Sequence, residues 1–135
     1  MSGVIDLSEL LRSACPVLTE PEYVFVTVTE DSRIPHLDAI CTFREREAMT
    51  IICPKSKAEA AGLTFDRVYR EIELNVHSSL EAVGFLAAVA AALSREKIPC
   101  NVVSAYYHDH IFVPAELAGR AVEALSRLSL SSTKA

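Results

Sequence analysis

The sequence predicts an α+β protein built from two related halves, and three observations carry that prediction. Short β-branched and aromatic runs alternate with apolar helical stretches along the whole chain. Two hairpin–proline–helix segments recur at a fixed spacing. Half of the 135 residues are hydrophobic and 23% are charged, enough apolar material for a packed interior and too much for general disorder.

Residues 5–14 form a short helix with Ile5, Leu7, Leu10 and Leu11 as its apolar positions, ended by Pro16. Tyr23 to Val28 is β-branched and aromatic and makes the first strand. Glu30-Asp31-Ser32 with Pro35 makes a loop. A second strand covers Leu37 to Arg44 and a third Ala48 to Cys53, joined by the charged turn Glu45-Arg46-Glu47. Pro54 opens a helix over Lys55 to Ala61, where its missing N–H costs little, and Gly62 closes it.

A fourth strand runs from Tyr69 to Val76, with Ile72, Leu74 and Val76 alternating against Glu71, Glu73 and Asn75. The next helix is expected from Ser78, with Glu81 three residues on completing a capping box. Leu80, Val83, Leu86, Ala87, Ala90 and Leu93 form its apolar face. Asn101 to Tyr107 and His110 to Val113 make a hairpin, and Pro114 starts a last helix to Leu128 that turns Ala118, Val122, Leu125 and Leu128 inward. Residues 131–135 form a frayed tail.

The repeat is visible in the residues themselves. Ile51-Ile52-Cys53-Pro54 corresponds to Ile111-Phe112-Val113-Pro114 at an offset of 60, and Ala58 and Ala61 then meet Ala118 and Ala121. Cys41-Thr42-Phe43 matches Asn101-Val102-Val103 at the same offset. The first strands, ending at Val28 and Val76, are only 48 apart. That difference of 12 is about the length of one helix, so the first half lacks its first helix. The halves divide into residues 1–66 and 67–135.

Charge and cysteine usage exclude several functions. The net charge is −5 with no basic cluster, so nothing offers a phosphate backbone an electrostatic footprint, and nucleic acid is not an expected partner. Cys15, Cys41, Cys53 and Cys100 lie far apart, without the spacing of a zinc or redox motif, and suit a reducing compartment. The apolar run from Ala82 to Leu93 is too short for a bilayer that needs roughly 20 residues. No basic segment precedes an apolar run near the start, so no signal peptide is expected. A cytoplasmic protein with no membrane contact follows.

Catalytic motifs are missing from the reading. There is no GxSxG and no glycine-rich phosphate loop, and the four glycines do not cluster, so an enzyme is not expected. His108-Asp109-His110 is a polar group at a hairpin tip. Two imidazoles on one face of a strand, with Cys100 or His77, are one route to a metal site. Positioning the hairpin against a neighbouring half or a ligand is the other, and it is the expected one; no metal and no cofactor are assigned.

The run His77-Ser78-Ser79-Leu80-Glu81-Ala82-Val83-Gly84 and the run from Ile98 to Pro114 together resemble the ACT domain, a βαββαβ regulatory module that usually binds amino acids. The whole chain is similar to small tandem-ACT proteins of bacteria, which also look like the cytosolic arginine sensors of animals. The resemblance implies two tandem ferredoxin-like halves with antiparallel sheets and helices on one face. It implies a ligand site near the loop joining a first strand to a first helix, here His77-Ser78-Ser79, where the family typically has a glycine and often an aspartate.

Elementary physics also points to this loop, because the unpaired N–H groups and partial positive charge of a helix N-terminus favour a carboxylate. Ser78 and Ser79 add hydroxyls and Glu81 can meet an ammonium, although Ser78 and Glu81 also serve as a plain capping box. The expected ligand-binding residues are His77, Ser78, Ser79 and Glu81, followed by His108 and His110. The expected function is a small-molecule regulatory or sensory protein, binding an amino acid and acting as a homodimer. The alternative is a protein–protein interaction module without a free ligand, and a metal-binding protein ranks below it.

Overall fold

The computed structural model describes residues 6–29, 31–76 and 79–132. Its elements are helix α1 (Leu7–Ser13), strand β1 (Pro16–Val28), a 3-10 helix (Asp31–His36), β2 (Cys41–Arg44), β3 (Met49–Pro54), α2 (Lys55–Ala60), β4 (Tyr69–Leu74), α3 (Phe85–Arg95), β5 (Asn101–Ser104), β6 (Asp109–Pro114), a 3-10 turn (Ala115–Leu117) and α4 (Ala118–Ser132). The chain folds into two compact units. One comprises residues 1–19 with 71–135, and the other residues 20–70.

In the unit of residues 20–70, β3 lies between β2 and β1, and both pairings are antiparallel. Val24, Val26, Val28, Ile51 and Cys53 pack with Ala58 of α2 and with Leu37 in a single core. Strand alternation explains the set, since every second residue of β1 and β3 faces the same side. On the other face Phe25 meets Tyr69 edge-on, with ring centroids 5.1 Å apart.

In the other unit, β4 lies between the start of β1 and β6, and β6 pairs antiparallel with β5. Asn75 N–H donates to the Cys15 carbonyl at 2.9 Å and Thr19 bonds to Glu71, so the partner numbers run in opposite senses and this pairing is antiparallel too. Helices α1, α3 and α4 pack on one another. Leu10, Phe85, Val89, Leu93, Ala121 and Leu125 bury their apolar faces with Ile72, Leu74, Ile111 and Val113 of the strands. Asp6 caps α1 by accepting from the Ser8 N–H at 3.1 Å.

The duplication holds at the level of register. Cys41 faces Ile52 and Arg44 faces Met49, while Asn101 faces Phe112 and Ser104 faces Asp109, each pair displaced by 60. The turns match as well: Glu45 N–H donates to the Ala48 carbonyl, and Ala105 N–H to the His108 carbonyl. Between β1 and β2 the first half has the 3-10 helix where the second half has α3, which agrees with the expected loss of a helix.

Several boundaries differ from the sequence reading. Strand β1 starts at Pro16 rather than Tyr23, because pairing with β4 recruits a polar stretch that has no alternation of its own. The expected loop after it contains the 3-10 helix. Strand β2 starts at Cys41 rather than Leu37, since Asp38 adopts a left-handed φ of 51° that breaks an extended run. Leu37 is a core plug instead of a strand residue. Strand β5 stops at Ser104, where the Ala105–His108 turn closes.

The largest correction concerns the helix expected from Ser78. Helix α3 begins at Phe85, with Gly84 as its N-cap at φ 90° and no side-chain cap. A capping box with Glu81 at the third helical position is therefore not formed. Leu80 and Val83, read as core positions, are 64% and 82% exposed. The buried face is Phe85, Val89, Ala92 and Leu93, which follows the same 3.6-residue period in a different phase. An alanine-rich run supports more than one phase, and here the phase that buries Phe85 meets the core.

Candidate functional site

A cavity of about 130 Å³ opens at the N-terminus of α3, walled by Ser79, Leu80, Ala82, Gly84, Phe85, Leu86, Ala87, Ser104 and Asp109. The first helical N–H groups, those of Phe85, Leu86 and Ala87, have no acceptor within the helix by its geometry, and the N-cap residue Gly84 has no side chain to cap them. The partial positive charge of the helix end therefore falls on this cavity. Asp109, a carboxylate only 5% exposed, lines the same cavity.

Asp109 reaches this place by strand phase. It lies two and four residues before Ile111 and Val113, both in the helix-covered core, so it points to the same side. Its cross-strand partner Ser104 shares that face. The alternation was open to inspection in the sequence, but the position reads as a hairpin tip there, where an aspartate is ordinary.

The loop before α3 is shaped by its own turns. Ser79 is half-buried; its hydroxyl accepts from the Glu81 N–H at 3.1 Å, and its carbonyl from the Ala82 N–H at 3.0 Å. Glu81 itself is exposed. His77 and Ser78 lie outside the described residues. Gly84 supplies the backbone turn into α3, and a side chain built there meets Leu7 at 3.4 Å.

His108 and His110 lie apart from the cavity. In β6, His110 alternates with Asp109 and Ile111 and so occupies the opposite face of the strand. There His110 Nδ1 and Glu71 Oε2 are 2.7 Å apart, and Glu71 also accepts from the Thr19 hydroxyl at 3.1 Å. The hydrogen bond from His110 pulls the Glu71 carboxyl below its ordinary range despite burial, and the same bond raises the His110 imidazole. His108 Nδ1 stands 3.7 Å from Glu73, a looser and more exposed pair. Sequence spacing brings the two imidazoles together, with ring centroids 6.4 Å apart. Among the described residues, no three or more His, Cys, Asp or Glu side chains form a group able to hold a metal ion.

Two features therefore define this half: a cavity with polar groups on the helix-covered face and a part-buried His–Glu pair on the other. Comparison with known families gives them a context. ACT-domain profiles match residues 2–70 and 68–127. The chain belongs to the ACT-domain family. It carries two such domains in tandem, and ACT domains are regulatory rather than catalytic modules.

Among solved structures, a protein of unknown function from Vibrio cholerae, described as a possible transport protein, is 44% identical, with a TM-score of 0.84 over 91% of this chain and 95% of that one. Protein Atu0741 from Agobacterium tumefaciens superposes with a TM-score of 0.72 at 14% identity, covering 86% and 89%. The ligand-free regulatory subunit of aspartate kinase from Thermus thermophilus gives 0.65 at 10% identity, covering 87% and 97%. These last two share the fold. No curated protein matches the sequence. Among the described residues, no helix of this ACT protein is long and apolar enough to cross a membrane.

Proposed function

We propose that this tandem-ACT protein is a regulatory sensor that binds a small amino acid in the cavity at the N-terminus of α3. One observation carries the reading: a helix N-terminus and a buried carboxylate, Asp109, wall the same cavity. A zwitterion has the complementary pair of charges. Its carboxylate suits the N–H groups of Phe85, Leu86 and Ala87, and its ammonium suits Asp109. Ser79 and Ser104 add hydroxyls, and Glu81 acts through the backbone N–H that orients Ser79. His77 and Ser78 precede Ser79 in sequence and enter the proposal on that ground alone, while His108 and His110 support the hairpin from its other face.

About 130 Å³ is well below the roughly 300–1,000 Å³ of pockets for drug-sized ligands. Glycine, alanine and serine are therefore favoured over arginine or aromatic residues. Binding regulates by population shift, favouring the conformation in which loop 79–84 is closed on the ligand. The aspartate kinase regulatory subunit supports a regulatory assignment by its fold.

Thermal unfolding against each proteinogenic amino acid tests the proposal. At about 100 times its Kd a ligand stabilises by about 2.7 kcal/mol, a rise of several degrees in Tm. The expected result is a rise with one small neutral amino acid, lost in Asp109→Asn. Flat midpoints with all of them would overturn it.

A second reading rests on Leu80 and Val83, apolar and strongly exposed beside the cavity. Such side chains suit a protein partner, including a second copy of this chain. Sedimentation of the wild type and of Val83→Asp separates the cases: a dimer that the substitution dissociates favours this reading.

A further inference from the structure

The cross-strand pair Ser104–Asp109 at the cavity of the second half has a counterpart 60 residues earlier in Arg44–Met49. That counterpart also borders an opening, a cleft of about 200 Å³ formed by Val28, Thr29 and residues 44–49. The duplication thus preserves a concavity at the same place in the repeat, beside the turn end of the hairpin and on its helix-covered face. Its chemistry is inverted.

We propose that the cleft of the first half is a second and separate binding site, taking a small carboxylate- or phosphate-bearing anion. Where the second half has a buried carboxylate, the first has the thioether of Met49, so the carboxylate at this strand position is absent. Where the second half has the Ser104 hydroxyl, the first has the Arg44 guanidinium, a planar fork of donors that matches carboxylate and phosphate oxygens. Arg46, in the turn, adds a second guanidinium to the same cleft.

Two acids, Glu45 and Glu47, line the cleft beside these cations. Glu45 accepts from the Thr50 hydroxyl, and Thr50 alternates with Met49, so this bond draws the carboxylate towards the opposite face of the strand. Among the described residues neither Arg44 nor Arg46 has an ion-pair partner. Thr29 contributes a hydroxyl, and Val28, Ala48 and Met49 supply an apolar wall. This site goes beyond the amino-acid reading and is tested independently of it, because every residue lining the cleft lies in the unit of residues 20–70.

Titration of ¹⁵N-labelled protein with phosphate and, separately, malonate, against sodium chloride at matched ionic strength, tests the proposal. The expected result is saturable amide shifts at Thr29 and residues 44–49 with phosphate, malonate or both, but not with chloride. Replacing the exposed Arg44 by Met should weaken that binding by roughly tenfold or more, the loss of one charge-assisted contact. Asp109→Asn should leave it unchanged. Shifts that do not saturate, that chloride reproduces, or that survive Arg44→Met unaltered would overturn the assignment.

Discussion

The two hairpins of this protein share register, turn closure and proline exits, yet they differ in the side chains that border their openings. Ile51 and Ile111 are both fully buried, as are Cys53 and Val113. Arg44 replaces Ser104, Met49 replaces Asp109, and Thr50 replaces His110. The lesson is that the repeat keeps apolar side chains at the core positions and changes the residues around each opening. A duplicated fold can then offer two different chemistries from one geometry.

The sharpest way to test the equivalence is to cut the same atoms from both cores. Ile51→Ala and Ile111→Ala should each cost about 2–5 kcal/mol, read from urea unfolding. If one is silent, the claim that both positions anchor a core fails. The amino-acid stabilisation of about 2.7 kcal/mol at saturating ligand comes next. It should vanish in Asp109→Asn and persist in Met49→Leu, the matching position of the other half.

The polar pairs differ in burial, and this difference should be measurable. Glu71 is buried and bonded by both His110 and Thr19, whereas the Glu45–Thr50 pair is exposed. Glu71→Ala should cost about 1–3 kcal/mol by leaving partners unsatisfied, and Thr50→Val under about 1 kcal/mol. Comparable losses would remove the distinction. Gly84 and Gly62 both hold left-handed φ angles, 90° and 72°. Alanine at either should cost about 1–2 kcal/mol, with no further penalty from crowding, since the nearest contact at Gly84 is an ordinary 3.4 Å.

The smallest effect expected is in the pH dependence. His110 is raised from its ordinary 6.5, so its contribution is complete below that value and is lost as pH climbs through the raised pKa. Glu71 is lowered from 4.5, so its contribution is present above that value and is lost as pH falls through the lowered pKa. Both act fully between 4.5 and 6.5. Asp109, Glu73 and His108 are the other titratable groups around the pair. Urea midpoints should therefore fall as pH rises above neutrality, and Glu71→Gln should flatten that slope. An unchanged slope in the variant would place the titration elsewhere.

Much of the candidate site was legible, though unevenly. Ser79 stood out through its place before a helix, and it lines the cavity to which the proposal assigns the ligand. Asp109 was visible through its phase with Ile111 and Val113 but was masked by its place in a polar hairpin tip. The capping box at Ser78 and Glu81 was a false signal, because the motif is short and Gly84, three residues further on, starts the helix instead. Nothing local could have paired Glu71 with His110, which are 39 residues apart.

What the sequence determined by itself is therefore local: the hairpins, their register, the proline exits, the repeat at 60 and the alternating faces that become core. Those properties arise from sterics and periodicity within a few residues of each position. Tertiary structure decided which strands became neighbours, which phase of an alanine-rich helix met the sheet, and where a polar stretch of β1 was drawn into pairing. These are choices among arrangements that satisfy the local rules equally well. Burial of the whole apolar surface selects between them, and only the folded chain carries that information.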